Sequence, residues 1–165
     1  MKVSYFAYGS NMDKQRMLDR GVTIYGEYAA ALNGWELCFN KKASGPVEGK
    51  GYANIVPQTD GIVEGILYQT DEEGIKSLDG YEGYPKDYSR VMLEVATLPE
   101  GTTHEAVVYV ANPKQLQDSL YPTEEYLGHL LAGARFLTPE YINFLASVPT
   151  LESVAREKQV RGGRS

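Results

Sequence analysis

Between Tyr5 and Met12 the chain reads YFAYGSNM, and this stretch limits the fold more than any other. The aromatic and apolar residues Tyr5 to Tyr8 read as a short strand that runs into Gly9, and Met12 to Arg20 reads as a helix. The chain therefore has to pass from sheet to helix within one tight turn. Glycine can take backbone angles closed to other residues and leaves its amide open to close approach. Ser10 and Asn11 are helix-capping types. Alone, the motif reads first as a tight turn with an ordinary cap. Its second reading is a cup of N–H donors suited to an anion or a polarised carbonyl.

The rest of the chain has to build a sheet for that strand to join. Val22 to Tyr25 and Tyr28 to Leu32 read as short strands, and Trp35 to Phe39 alternates apolar and polar residues with the period of a half-buried strand. Asn40 to Gly51, with Gly45, Pro46, Gly49, Gly51 and three lysines, reads as a mobile loop. Tyr52 to Val56 and Ile62 to Gln69 flank Pro57 to Gly61 and are expected to form a hairpin with a longer turn. Thr70 with Glu73 forms a capping-box pattern, so a helix is expected to open there and end near Gly80. Two more strands, Tyr88 to Ala96 and Glu105 to Val110, enclose a turn at Leu98 to Thr102. Thr123 caps a helix with apolar positions at Tyr126, Leu127, Leu130, Leu131 and Ala134, and Thr138 with Pro139 opens another that ends before Pro149. Strands with short connections and helices gathered at intervals imply an α+β fold, with the sheet curled into a barrel.

The 165 residues allow one sizeable core, so one domain over residues 1–150 is expected, followed by a polar tail at 151–165 that is disordered from Arg156 onward. A net charge of −6 without a long basic run excludes an electrostatic nucleic-acid footprint. No apolar run approaches membrane-spanning length and no signal-peptide pattern opens the chain, so a cytoplasmic protein without a membrane partner is expected. The single Cys38 lies in an alternating run and reads as a small buried hydrophobe. His104 and His129 have no ligand spacing around them, so no metal is expected. Thirteen tyrosines stand out against one tryptophan and four phenylalanines, a composition suited to a polar pocket within a compact fold.

Leu78 to Arg90, LDGYEGYPKDYSR, is the second notable stretch. Glu82 stands there between tyrosines and glycines. On the residues alone it is either a solvated turn glutamate or a partly desolvated carboxylate whose raised pKa would make it a proton acceptor near neutral pH. Tyr126 likewise is either a core residue or a pocket hydroxyl.

YFAYGSN at Tyr5–Asn11, VEGILY at Val63–Tyr68, LDGYEGYPKDYSR and PTEEYLGHLLAGAR at Pro122–Arg135 together resemble the gamma-glutamylcyclotransferase family, which includes the avirulence-induced-gene-like proteins and a cyclotransferase of aminoglycoside biosynthesis. The similarity spans about Lys2 to Val148. Met12 stands where many members have leucine, and Lys41 to Lys50 does not align. The resemblance implies a small mixed β-barrel flanked by α-helices, with a cavity at its mouth. It also implies a γ-glutamyl site on Tyr5, Phe6, Ala7, Tyr8, Gly9, Ser10 and Asn11, with pocket tyrosines at Tyr88 and Tyr126 and a catalytic glutamate at Glu82. The expected reaction turns a small-molecule γ-glutamyl amide into 5-oxoproline and an amine without a cofactor, in a monomer or homodimer. A binding protein for such a metabolite and an interaction protein with a Tyr-rich face are the alternatives.

Overall fold

The computed structural model describes residues 1–162. Five strands, β1 (Lys2–Ala7), β2 (Gly26–Lys42), β3 (Gly51–Asp71), β4 (Tyr88–Thr97) and β5 (Thr103–Ala111), close into a barrel in the order β1-β3-β2-β4-β5. Neighbours are antiparallel except at the seam, where β1 meets β5 in parallel through Tyr5 and Val107. The helices are α1 (Lys14–Asp19), α2 (Glu72–Glu82), α3 (Glu124–Leu131), α4 (Pro139–Ala146) and α5 (Leu151–Gly162). The expected α+β barrel is what the chain forms. Among the described residues no helix is long and apolar enough to cross a membrane.

Strand alternation sorts the core into two layers. Phe6, Ala30, Leu32, Ile55, Val63, Leu67, Val95 and Val108, all strand residues, pack together as the filling of the barrel. Their sequence neighbours Tyr5, Ala7, Ile66 and Tyr68 point the other way and meet Met17, Leu78, Leu127, Leu130 and Leu145 from the helices. Successive Cβ atoms of a strand face opposite sides, so one segment such as Phe6–Tyr8 serves both layers.

Several local expectations are corrected. Val22–Tyr25 is not a strand. Tyr28–Leu32 and Trp35–Phe39 belong to one strand, β2, which passes through Gly34 at φ 87°. Tyr52–Val56 and Ile62–Gln69 do not pair with each other. Both lie along β2, and Pro57 to Ile62 bulges opposite Asn33 to Trp35. A Cβ at Gly61 would collide with the Trp35 carbonyl, so the turn-like composition serves close strand approach at the bulge. The sheet also extends to Lys42, and Lys41 is buried, which shortens the expected loop.

Caps differ as well. Gly9 has φ −115°, Ser10–Met12 forms a single 3₁₀ turn without a side-chain cap, and Asp13 caps α1 through the Gln15 amide. Thr70 remains in β3, fully buried, donating to the Thr23 carbonyl, and Asp71 caps α2 through the Gly74 amide. The helix expected to end near Gly80 runs to Glu82 and stops at Gly83, φ 69°, where a side chain would strike Asp87. The tail expected to be disordered instead carries α5 as far as Gly162, while 163–165 lie outside the described residues. Its start is tied down by the Leu151 amide on the Pro122 carbonyl, by Thr150 paired with Ser153, and by Glu152 on the Glu124 amide.

Candidate active site

The turn after β1, the end of α2 and the start of β4 converge on a cavity of about 200 Å³ at one end of the barrel. Tyr5, Tyr8, Gly9, Ser10, Asn11, Glu82, Tyr88 and Tyr126, all expected in the site, line it. Phe6 and Ala7 do not. Phe6 fills the barrel and Ala7 packs toward the helices, as the alternation of β1 requires. Arg16, Arg20, Lys41, Ser44, Tyr52, Ala53, Tyr81, Asp87 and Tyr109 also line the cavity and were not singled out in the sequence.

Glu82 reaches this cavity because it is the last residue of α2. Ile75 and Leu78 on the same helix are buried against the barrel. Burying side chains of this size is worth about 1.5–3 kcal/mol each, enough to fix the helix and its final turn. Tyr109 adds a hydrogen bond from its hydroxyl to Asp79 at 2.7 Å, three residues before Glu82. Glu82 is half-buried in the cavity wall, and burial pushes its pKa up to about 7, partly opposed by Arg20, Arg16 and Lys41. The last turn of a helix, where carbonyl dipoles point outward, is also an unfavourable place for a negative charge.

Asn11 is the hub of the site. It is 2% exposed, and its amide nitrogen donates to the Tyr5 hydroxyl at 3.0 Å and to Glu82 at 3.3 Å. Its oxygen accepts from Arg20 at 2.9 Å, and its backbone carbonyl accepts from the Tyr68 hydroxyl at 2.8 Å. Every polar atom of that side chain is committed to protein. The amides of Gly9, Ser10 and Asn11, by contrast, have no protein acceptor among the described residues. The glycine is needed here for room, since a Cβ at Gly9 would press on Ala53 Cβ at 3.2 Å and approach the Tyr126 hydroxyl at 3.5 Å.

Ala53 brackets the two pocket tyrosines. Its amide donates to the Tyr126 hydroxyl at 3.0 Å and its carbonyl accepts from Tyr88 at 2.8 Å. Tyr88 has therefore spent its proton, whereas Tyr126 still has one to give. Burial raises the pKa of Tyr5, Tyr8, Tyr88 and Tyr126, so these hydroxyls stay neutral and Glu82 is the member of the set that titrates near pH 7. On the far side Lys41 donates to the Lys42 carbonyl at 2.8 Å and lies 3.8 Å from Asp87, between the rings of Tyr52 and Tyr88.

No curated protein sequence matches the chain. Among solved structures, one described as a gamma-glutamyl cyclotransferase superposes with a TM-score of 0.78 at 24% identity, covering 91% of this chain and 89% of that one. An uncharacterized protein from Homo sapiens gives 0.78 at 25% identity over 90% and 89%. A yeast gamma-glutamyl cyclotransferase specific to glutathione gives 0.63 at 15% identity over 94% and 96%. These likenesses establish the fold. The family model described as gamma-glutamyl cyclotransferase, AIG2-like matches residues 5–128, from the strand that opens the cavity to the middle of α3. The chain thus belongs to the gamma-glutamyl cyclotransferase, AIG2-like family.

Proposed function

We propose that this protein converts a γ-glutamyl amide to 5-oxoproline and a free amine, with Glu82 as the general acid–base. The observation that carries the reading is the Glu82 carboxylate, poised near pH 7 in a cavity lined by neutral tyrosine hydroxyls and the turn that carries the free amides of Gly9 to Asn11. A group that titrates at the working pH is suited to both halves of a proton transfer. Family membership supports the same chemistry.

In such a substrate the α-ammonium loses a proton to the Glu82 carboxylate, and the freed amine attacks its own γ-carbonyl. A five-membered ring closes, and the C–N bond to the leaving amine breaks as Glu82 returns the proton to the departing nitrogen. The ammonium gives up two protons in all and the leaving nitrogen gains two, so no water or other reactant is consumed. The enzyme's main task is to hold the bent conformer, because oriented intramolecular attack can correspond to effective molarities of about 10⁵ M or more. Binding of the γ-glutamyl group falls to the Tyr5–Asn11 turn, through the amides of Gly9, Ser10 and Asn11 and the side chain of Tyr5, with the Tyr126 hydroxyl as a further donor. Asn11 holds Glu82 in place. Amides directed at an oxygen that gains charge are a strong form of transition-state stabilisation. Lys41 and Tyr88, beside Asp87, line the space next to them.

Incubation with γ-glutamyl dipeptides and γ-glutamyl alkylamides, followed by assay for 5-oxoproline, tests the proposal. Release from any of them, abolished in Glu82→Gln, supports it. Binding of 5-oxoproline without turnover of any γ-glutamyl amide would instead make the protein a metabolite binder.

A further inference from the structure

Three cations line the cavity, and they are not equivalent. Arg20 donates to Asn11 at 2.9 Å and lies over the Tyr81 ring at 4.7 Å. Lys41 donates to a backbone carbonyl and faces Asp87. Arg16 makes no hydrogen bond and no ion pair with any described residue through its side chain, and its Nε is sealed from solvent without an acceptor. A buried donor left unpaired costs about 1–3 kcal/mol, so a fold that retains one in a cavity wall leaves a place for an acceptor from outside. The cost is compounded by Arg20, four residues along the same short helix, because like charges at that spacing repel.

The helix that carries Arg16 is held firmly. Asp13 caps α1 and its other oxygen lies 2.8 Å from His129 Nδ1 on α3, while Met17, next to Arg16, is fully buried. The guanidinium is therefore presented by a fixed element toward a cavity whose anions are Glu82 and Asp87. The chain as a whole carries −6, so this concentration of positive charge is local.

We infer that Arg16 is a specificity-determining residue that holds the α-carboxylate of the γ-glutamyl half, an assignment that rests on the cyclotransferase reading of this cavity. The planar guanidinium, with donors on two edges, matches a carboxylate better than any other side chain. A carboxylate held there leaves the amides of Gly9 to Asn11 for the oxygen of the γ-carbonyl. It also separates true substrates from amides of 4-aminobutyrate, which have the same amine and carbonyl but no carboxylate.

Calorimetric titration with 5-oxoproline and with 2-pyrrolidinone, the same lactam without its carboxylate, tests the assignment in the wild type, Arg16→Gln and Arg16→Lys. The wild type should prefer 5-oxoproline by about 10- to 100-fold, Arg16→Gln should abolish that preference, and Arg16→Lys, which keeps the charge but not the fork, should restore part of it. Catalytic efficiency of Arg16→Gln should fall equally on γ-glutamylalanine and γ-glutamylethylamide. A folded Arg16→Gln that keeps the preference for 5-oxoproline overturns the inference while wild-type turnover leaves the cyclotransferase reading intact. A loss confined to γ-glutamylalanine overturns it too, since Arg16 would then read the leaving half. A wild type that turns over no γ-glutamyl amide and binds neither lactam overturns both.

Discussion

Replacing Glu82 with glutamine should remove activity and, at alkaline pH, make the protein more stable. The carboxylate is raised from an ordinary 4.5 to about 7 by burial. At about 1.4 kcal/mol per pH unit, that difference amounts to about 3 kcal/mol. The sign follows from linkage. Below pH 4.5 the group is protonated in both the folded and the unfolded chain and costs nothing. Between 4.5 and about 7 the unfolded chain gives up its proton while the folded one keeps it, so stability falls as pH rises, and above about 7 the whole cost is present.

Glutamine carries no charge to desolvate and escapes this cost. Its amide oxygen still accepts from Asn11, as the protonated carboxyl does. Glu82→Gln should therefore match the wild type to within about 1 kcal/mol at pH 4.5 and be more stable by about 3 kcal/mol at pH 8.5. Urea unfolding of both proteins at pH 4.5, 6, 7 and 8.5, where both remain two-state, measures the difference directly. In the same preparations 5-oxoproline release should fall by at least about 10²-fold. A stability gap that does not change with pH would refute the claim that the native fold strains this carboxylate, whatever the activity does.

Other variants separate structural from chemical roles. Gly9→Val should weaken 5-oxoproline binding and also destabilise by about 1–3 kcal/mol, because the added carbons press on Ala53 and Tyr126; normal binding by the folded fraction would make the turn structural only. Tyr126→Phe orphans the Ala53 amide and should cost about 1–3 kcal/mol in thermal unfolding along with ligand affinity; loss of stability with unchanged catalytic efficiency would return the residue to the core. Arg20→Gln keeps a donor for Asn11 but removes the charge that most opposes the rise of the Glu82 pKa, so the acid limb of the pH–rate profile should move upward from about 7. An unmoved limb would show that another group sets it.

The barrel was legible because most of its strands announce themselves by alternation, and the strand pair β4 and β5 by a short turn. Pairing was less legible. Pro57 to Gly61 has the composition of a hairpin turn, and nothing local distinguishes a turn from a bulge; the difference is made by β2, a distant partner that both flanking runs use. The two cap errors share a cause. Ser10 and Thr70 are good capping types that the fold employs otherwise, Thr70 by burying its hydroxyl on the Thr23 carbonyl, and the acidic residues Asp13, three residues on from Ser10, and Asp71, next to Thr70, cap instead. Tail residues that look too polar to order gain structure from contacts to the α3 cap that lie about 30 residues away in sequence.

Within the site the residues that sequence could identify are those whose local context is unusual: a glycine at the end of an aromatic run and a glutamate among tyrosines and glycines. The cations were invisible for the opposite reason. Arg16 and Arg20 sit in a short polar helix that looks solvated, and Lys41 in a stretch that looks like loop, yet all three turn toward Glu82 once the barrel closes. The spacing of Arg16 and Arg20 was the available signal, since like charges one helical turn apart need a reason. That reason also explains the balance at Glu82. Burial raises its pKa and the nearby cations oppose the rise, leaving it at about 7, where a carboxylate is suited to accept a proton and return it. An additional anion bound at Arg16 cancels part of that opposition, so substrate binding itself should raise the basicity of Glu82 at the moment it has to take the proton.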